Sequence, residues 1–101
     1  MKRELEVALE NRCVAKIEAR GGVALKLSIP GTRGFPDRTV LLHVIGRPGR
    51  VFFAEFKRLK TGKVSAQQIR WRVLLHQLGF GVYLIDTDAQ FDEALERELA
   101  R

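Results

Sequence analysis

The sequence predicts an α/β domain built on a mixed four-stranded sheet flanked by helices. Three observations carry that expectation. Apolar residues recur at helical spacing near both ends and in the 66–78 segment; four short runs are rich in β-branched and aromatic residues; and a helix separates the third run from the fourth. A helical link between neighbouring strands is a crossover, so the last two strands should lie parallel. The first three, joined by shorter links, should pair antiparallel. The expected order is αβββαβα.

Residues 3–20 form the first predicted helix: Leu5, Leu9, Cys13 and Ile17 recur every four positions, Val14 and Val7 widen the stripe, and Gly21-Gly22 ends it. VALKLSI (23–29) alternates as a strand does. After the loop PGTRGFPDR comes TVLLHVI (39–45), then the turn GRPGR, then VFFAEFK (51–57). Ser65 with Gln68 three residues on has capping-box spacing, opening a helix that runs to Leu78 and stops at Gly79. FGVYLI (80–85) is the fourth strand, continuously apolar as buried strands often are. Thr87 and Gln90 repeat the capping box ahead of the final helix, AQFDEALERELAR.

At 101 residues the whole chain, 1–101, is expected to be a single domain, and a chain of this size buries about two-thirds of its unfolded surface, enough for a core without staples. No apolar run approaches a membrane span, and the charged start MKRELEVALENR does not read as a secretory signal, so a cytoplasmic location is expected. Cys13 is the sole cysteine, which rules out an internal disulfide and a thiolate-rich zinc site. Net charge is +6 and the pI is near 10.1, favouring a polyanionic partner. The cations are scattered apart from Lys57, Arg58, Lys60 and Lys63, so charge needs chemistry beside it.

That chemistry lies in GFPDR (34–38) and FAEFK (53–57). Strand alternation puts Val51, Phe53, Glu55 and Lys57 on one face and Phe52, Ala54 and Phe56 on the other. Asp37 stands at the entrance of the neighbouring antiparallel strand, behind a proline that fixes the backbone. If the register brings that entrance beside the end of the next strand, Asp37 and Glu55 converge. Paired carboxylates are hard oxygen ligands suited to Mg²⁺ or Mn²⁺, and a neighbouring lysine could orient a water, help deprotonate it or stabilise charge on a phosphate. In the first helix Glu10 falls inside the apolar stripe, costly for a carboxylate unless it is paired or binds metal, and it is the third acidic candidate. Glu6 lies closer to the helix end and to solvent.

Glu10, Lys26, GFPDR, AEFK (54–57), GKVSAQQ (62–68), Trp71 and LGFGVYLID (78–86) together resemble the VRR-NUC domain, the virus-type replication and repair branch of the PD-(D/E)xK nucleases, from about residue 4 to about residue 95. The resemblance implies a restriction-endonuclease-like fold and Mg²⁺- or Mn²⁺-dependent cleavage of DNA. It also implies that Asp37, Glu55 and the Phe56 backbone carbonyl bind the ion, Glu10 completes the acidic set, Lys57 is the catalytic lysine and Gln68 supports the site. Lys26, Arg33, Arg38, Arg58, Lys60 and Lys63 are the candidate DNA contacts. Free-standing relatives imply a homodimer acting on branched DNA such as four-way junctions, with no organic cofactor and no membrane partner.

Blander readings stand beside these. An isolated E-x-K in a strand is usually a surface pair, and Lys26 is as readily solvated as phosphate-bound. His43 and His76 lack a partner motif, Cys13 belongs to the packing stripe, and Trp71 with Leu74, Leu75 and Leu78 forms an arc expected to meet the sheet. Glycines at 31, 34, 46, 49 and 62 read as turns. Ile69 and Val73 fall on another side of that helix, to meet a partner subunit or to pack under the final helix. A noncatalytic DNA-binding module and an RNA-directed nuclease are the competing functions.

Overall fold

The computed structural model describes residues 2–56 and 64–101, with side chains from residue 6 onward. The predicted Leu5 packing position and the cations Lys57, Arg58, Lys60 and Lys63 lie outside the described side chains. The elements are α1 (Lys2–Ala19), β1 (Val23–Leu25), β2 (Arg38–Leu42), β3 (Arg50–Phe56), α2 (Ala66–Gln77), β4 (Gly81–Ile85) and α3 (Asp88–Ala100). The sheet runs β1-β2-β3-β4, antiparallel across the first two pairs and parallel between β3 and β4. This is the mixed α/β arrangement expected from the sequence.

Alternation along the strands sends one set of side chains to each face. Val40, Phe52, Ala54, Phe56 and Ile85 meet Leu9, Cys13 and Ile17 of α1 and Phe91, Ala94 and Leu95 of α3, forming the main core. Burying a residue such as Phe52 or Phe91, each at most 1% exposed, contributes about 2–3 kcal/mol. The opposite face carries Phe53 and Glu55 beneath α2. Both predicted capping boxes form, Ser65 with Gln68 and Thr87 with Gln90.

Several expectations change. Val7 is 49% exposed and leaves the apolar stripe, whose buried members are Leu9, Cys13 and Ile17, with Val14 half-buried beside them. The first strand ends at Leu25 because its partner ladder ends with Thr39: beyond Arg38 the neighbouring chain turns off through Pro36, which has no N–H to offer. Leu27 and Ile29 therefore lie outside the sheet, exposed. On α2 only Leu75 is buried, while Leu74 and Leu78 of the predicted arc are exposed. Ile69 and Val73 do not pack under α3, because α3 lies with α1 on the other face of the sheet.

The end of the sheet where β3 and β4 begin is closed by a polar clasp. Glu98 of α3, fully buried, accepts from the Tyr83 hydroxyl at 2.5 Å and pairs with Arg101 at 3.1 Å and Arg50 at 3.5 Å. Arg47 donates to the carbonyls of Leu99 and Arg101, satisfying the last turn of the helix. A carboxylate buried among two guanidinium groups is compensated where it stands.

Candidate active site at the end of β3

The β2–β3 register sets Arg38 opposite Ala54, so Asp37 comes up one step beyond the ladder, beside Glu55 and Phe56. Its Oδ2 accepts the Phe56 backbone N–H at 2.8 Å, which joins the Asp37 loop to the end of β3. Glu55, 1% exposed, accepts from the Gln68 side-chain amide at 3.1 Å. The same Gln68 uses its carbonyl oxygen to accept the Ser65 backbone N–H at 2.9 Å. One side chain thus closes the helix cap with its oxygen and turns its nitrogen to the buried carboxylate, which fixes its orientation. Asp37 and Glu55 thus come from separate segments to neighbouring positions at one strand end, each carboxylate held by its own hydrogen bond.

Glu10 reaches the same end of the sheet from α1, where its carboxylate pairs with Arg38 Nε at 2.6 Å. Arg38 also donates to the Ala24 carbonyl at 3.1 Å, and both side chains of the pair are largely buried. Arg38 is therefore turned inward rather than presented to solvent as a DNA contact. Among the described residues no group of three or more His, Cys, Asp or Glu side chains is close enough to hold a metal ion. Lys26 and Arg33 are exposed, as DNA contacts require, and Glu6 is half-buried with an interaction of its own.

A latch not foreseen in the sequence holds the Asp37 loop to α2. Phe35 packs edge-on against both Phe53 and Trp71, at centroid distances of 5.5 and 5.1 Å. The Trp71 indole N–H donates to the Arg33 carbonyl at 3.1 Å. Gly34, read as an ordinary turn, has φ +88 and lies so close to α2 that a Cβ there would stand 2.5 Å from Gln67 Cβ and 2.8 Å from the Gln68 backbone nitrogen. The alternation of aromatic and glycine in RGFPD was the available sign, but a turn glycine and a contact glycine look alike in one sequence.

The donor set suits a hard divalent cation: two carboxylates and the carbonyl end of β3, with Glu55 buried deeply enough that compensation of its charge matters. Elsewhere, burial pushes the Cys13 thiol up to about 12, so it stays protonated and unreactive near neutrality.

A mixed four-stranded sheet flanked by three helices, with two acidic residues at neighbouring strand-end positions, defines the class, an α/β domain. A solved structure described as a VRR_NUC domain matches with a TM-score of 0.77 and 28% identity, covering 91% of this chain and 95% of its own. The protein named "Putative nuclease p44" of Acyrthosiphon pisum secondary endosymbiont phage 1 is 34% identical over 82 residues, 81% of this chain and 83% of that relative. No protein-family model matches. The chain belongs to the VRR-NUC nuclease family.

Proposed function

We propose that this chain is a metal-dependent DNA endonuclease, selective for branched substrates such as four-way junctions and active as a homodimer in the cytoplasm. The observation that supports the reading is the Asp37 carboxylate hydrogen-bonded to the Phe56 amide, one residue along the strand from the buried Glu55 that Gln68 holds. Asp37, Glu55 and the Phe56 carbonyl would hold Mg²⁺ or Mn²⁺. When bound, the ion supplies Lewis-acid polarisation of the phosphate and a lowered water pKa. Gln68 fixes the Glu55 rotamer, and the Asp37–Phe56 hydrogen bond holds the loop carboxylate against the strand. Lys57, two residues after Glu55 in the sequence, provides the ammonium that stabilises charge on the phosphate oxygens. Water oxygen bonds to phosphorus as one ester P–O bond breaks, leaving a phosphomonoester end and a hydroxyl end.

By the family resemblance Glu10 would complete the acidic set, which requires it to leave Arg38, its partner in this structure. The homodimer reading is supported by an open sheet face. Val23, Leu25 and Leu41 are 47%, 37% and 37% exposed on the β1–β2 half of the side that α2 covers over β4. Such a patch favours association with a second copy.

The test is incubation of the purified chain with labelled linear duplex, single-stranded and four-way-junction DNA, with and without Mn²⁺. The reading expects metal-dependent cutting of the junction that EDTA stops, that Ca²⁺ supports poorly and that Glu55→Gln slows by orders of magnitude. A junction bound but uncut in every metal would instead establish a noncatalytic binding module.

A further inference from the structure

Beside the proposed active site, α2 and the loop before Asp37 enclose a second feature, an open groove of about 690 Å³. Its lining includes the cations Arg33 and Arg70, the apolar Ile69, Trp71 and Leu74, and Gln67, the neighbour of Gln68 in the chain. Among the described residues no acidic side chain lines it, and α2 itself, AQQIRWRVLLHQ, contains none. Ile69 is 45% and Leu74 44% exposed, an apolar surface kept open to solvent between cations.

We propose that this groove binds an unpaired stretch of the nucleic-acid substrate next to the cleavage point. The inference rests on the nuclease reading and extends it to a substrate feature. Unpaired strands are held by cations along the backbone and by apolar or aromatic surfaces under the bases, and the groove supplies both. Its one charge sign argues against a second copy as occupant, since self-docking through this surface would oppose arginine with arginine. Continuity with the active site is built in: Gly34 abuts Gln67, and Gln68, the next residue, holds Glu55. From Gln67 to Gln77 the helix rises about 15 Å, room for about four stacked nucleotides.

Trp71 is the chain's one tryptophan, so its emission reports on the groove directly. The full-length protein in EDTA, where no cutting occurs, is titrated with a short oligothymidylate and with a blunt duplex of equal length. The proposal expects the single strand to quench Trp71 and to bind about tenfold tighter than the duplex. Arg33→Glu and Arg70→Glu should each weaken it about tenfold and flatten the salt dependence, whereas Arg97→Glu on α3 should change neither. Binding seen by anisotropy without any Trp71 response, or equal losses in Arg97→Glu, would overturn it. Emission that shifts with protein concentration alone, together with a dimer abolished by Ile69→Glu, would also overturn it and assign the groove to self-association. Cleavage in Mn²⁺ is scored separately. Cutting with an unresponsive Trp71 removes the groove alone, and a responsive Trp71 with no cutting in any metal removes the nuclease reading alone.

Discussion

Two buried glutamates occupy opposite ends of this sheet, and the partners seen among the described residues differ. Glu98 sits among a tyrosine hydroxyl and two arginines where β3 and β4 begin. Glu55 sits at the far end of β3 with a glutamine amide and a second carboxylate, Asp37, hydrogen-bonded to the next backbone nitrogen. A buried carboxylate flanked by cations is compensated within the fold, whereas hard oxygen donors gathered at a strand end suit a divalent ion. On the proposed function, the comparison places stability at one end and chemistry at the other.

Exchanging the two roles by mutation should break that contrast most visibly. Asp37→Asn and Glu55→Gln are each expected to lower the cleavage rate a hundred- to a thousandfold, about the effect of losing one electrostatic contact to the transition state. Circular dichroism melting should leave Tm near the parent value. Glu98→Ala should do the reverse, costing about 3 kcal/mol by leaving Arg50 and Arg101 without their buried partner. Below its lowered Tm, kcat should match the parent. A Glu98 variant with normal melting and lost cleavage would invert the assignment.

Gly34→Ala sharpens the site end. A Cβ forced against the Gln67 and Gln68 backbone should shift Gln68 away from Glu55 and lower kcat about tenfold, with junction affinity in EDTA retained. Arg38→Met releases Glu10 and should strengthen Mn²⁺ binding a few-fold in calorimetry; weaker binding would show that Glu10 acts through Arg38.

The smallest effect is alkaline and belongs to the stabilising end and the core. Burial raises the Tyr83 hydroxyl to about 12, helped by its hydrogen bond to Glu98, and burial does the same for the Cys13 thiol. The folded state therefore keeps protons that the unfolded chain releases above about pH 9–10. Stability is full below that range and falls as pH rises towards 12, at most about 1.4 kcal/mol per pH unit per group. Urea midpoints measured across that window check it, and Tyr83→Phe should reduce the slope.

The two ends were not equally legible in the sequence. Glu55 stands out because a charge in an apolar strand is conspicuous, and alternation fixed its face before any register was known. Gln68 was legible twice, as a capping residue and through the family resemblance, and its one side chain makes both the cap and a hydrogen bond to Glu55. Glu98 was invisible: in a helix as charged as α3, ERELAR offers no pattern that separates a buried glutamate from solvated ones. The Phe35–Trp71 latch and the inward turn of Arg38 depend on contacts 36 and 28 residues apart in sequence, which local periodicity does not carry.

Anomalous diffraction from crystals of the protein soaked in Mn²⁺ tests the central claim most directly. The account predicts a peak within coordination distance of the Asp37 and Glu55 carboxylates and the Phe56 carbonyl, absent in Glu55→Gln. No peak there at saturating Mn²⁺, or one that survives in Glu55→Gln, would contradict it.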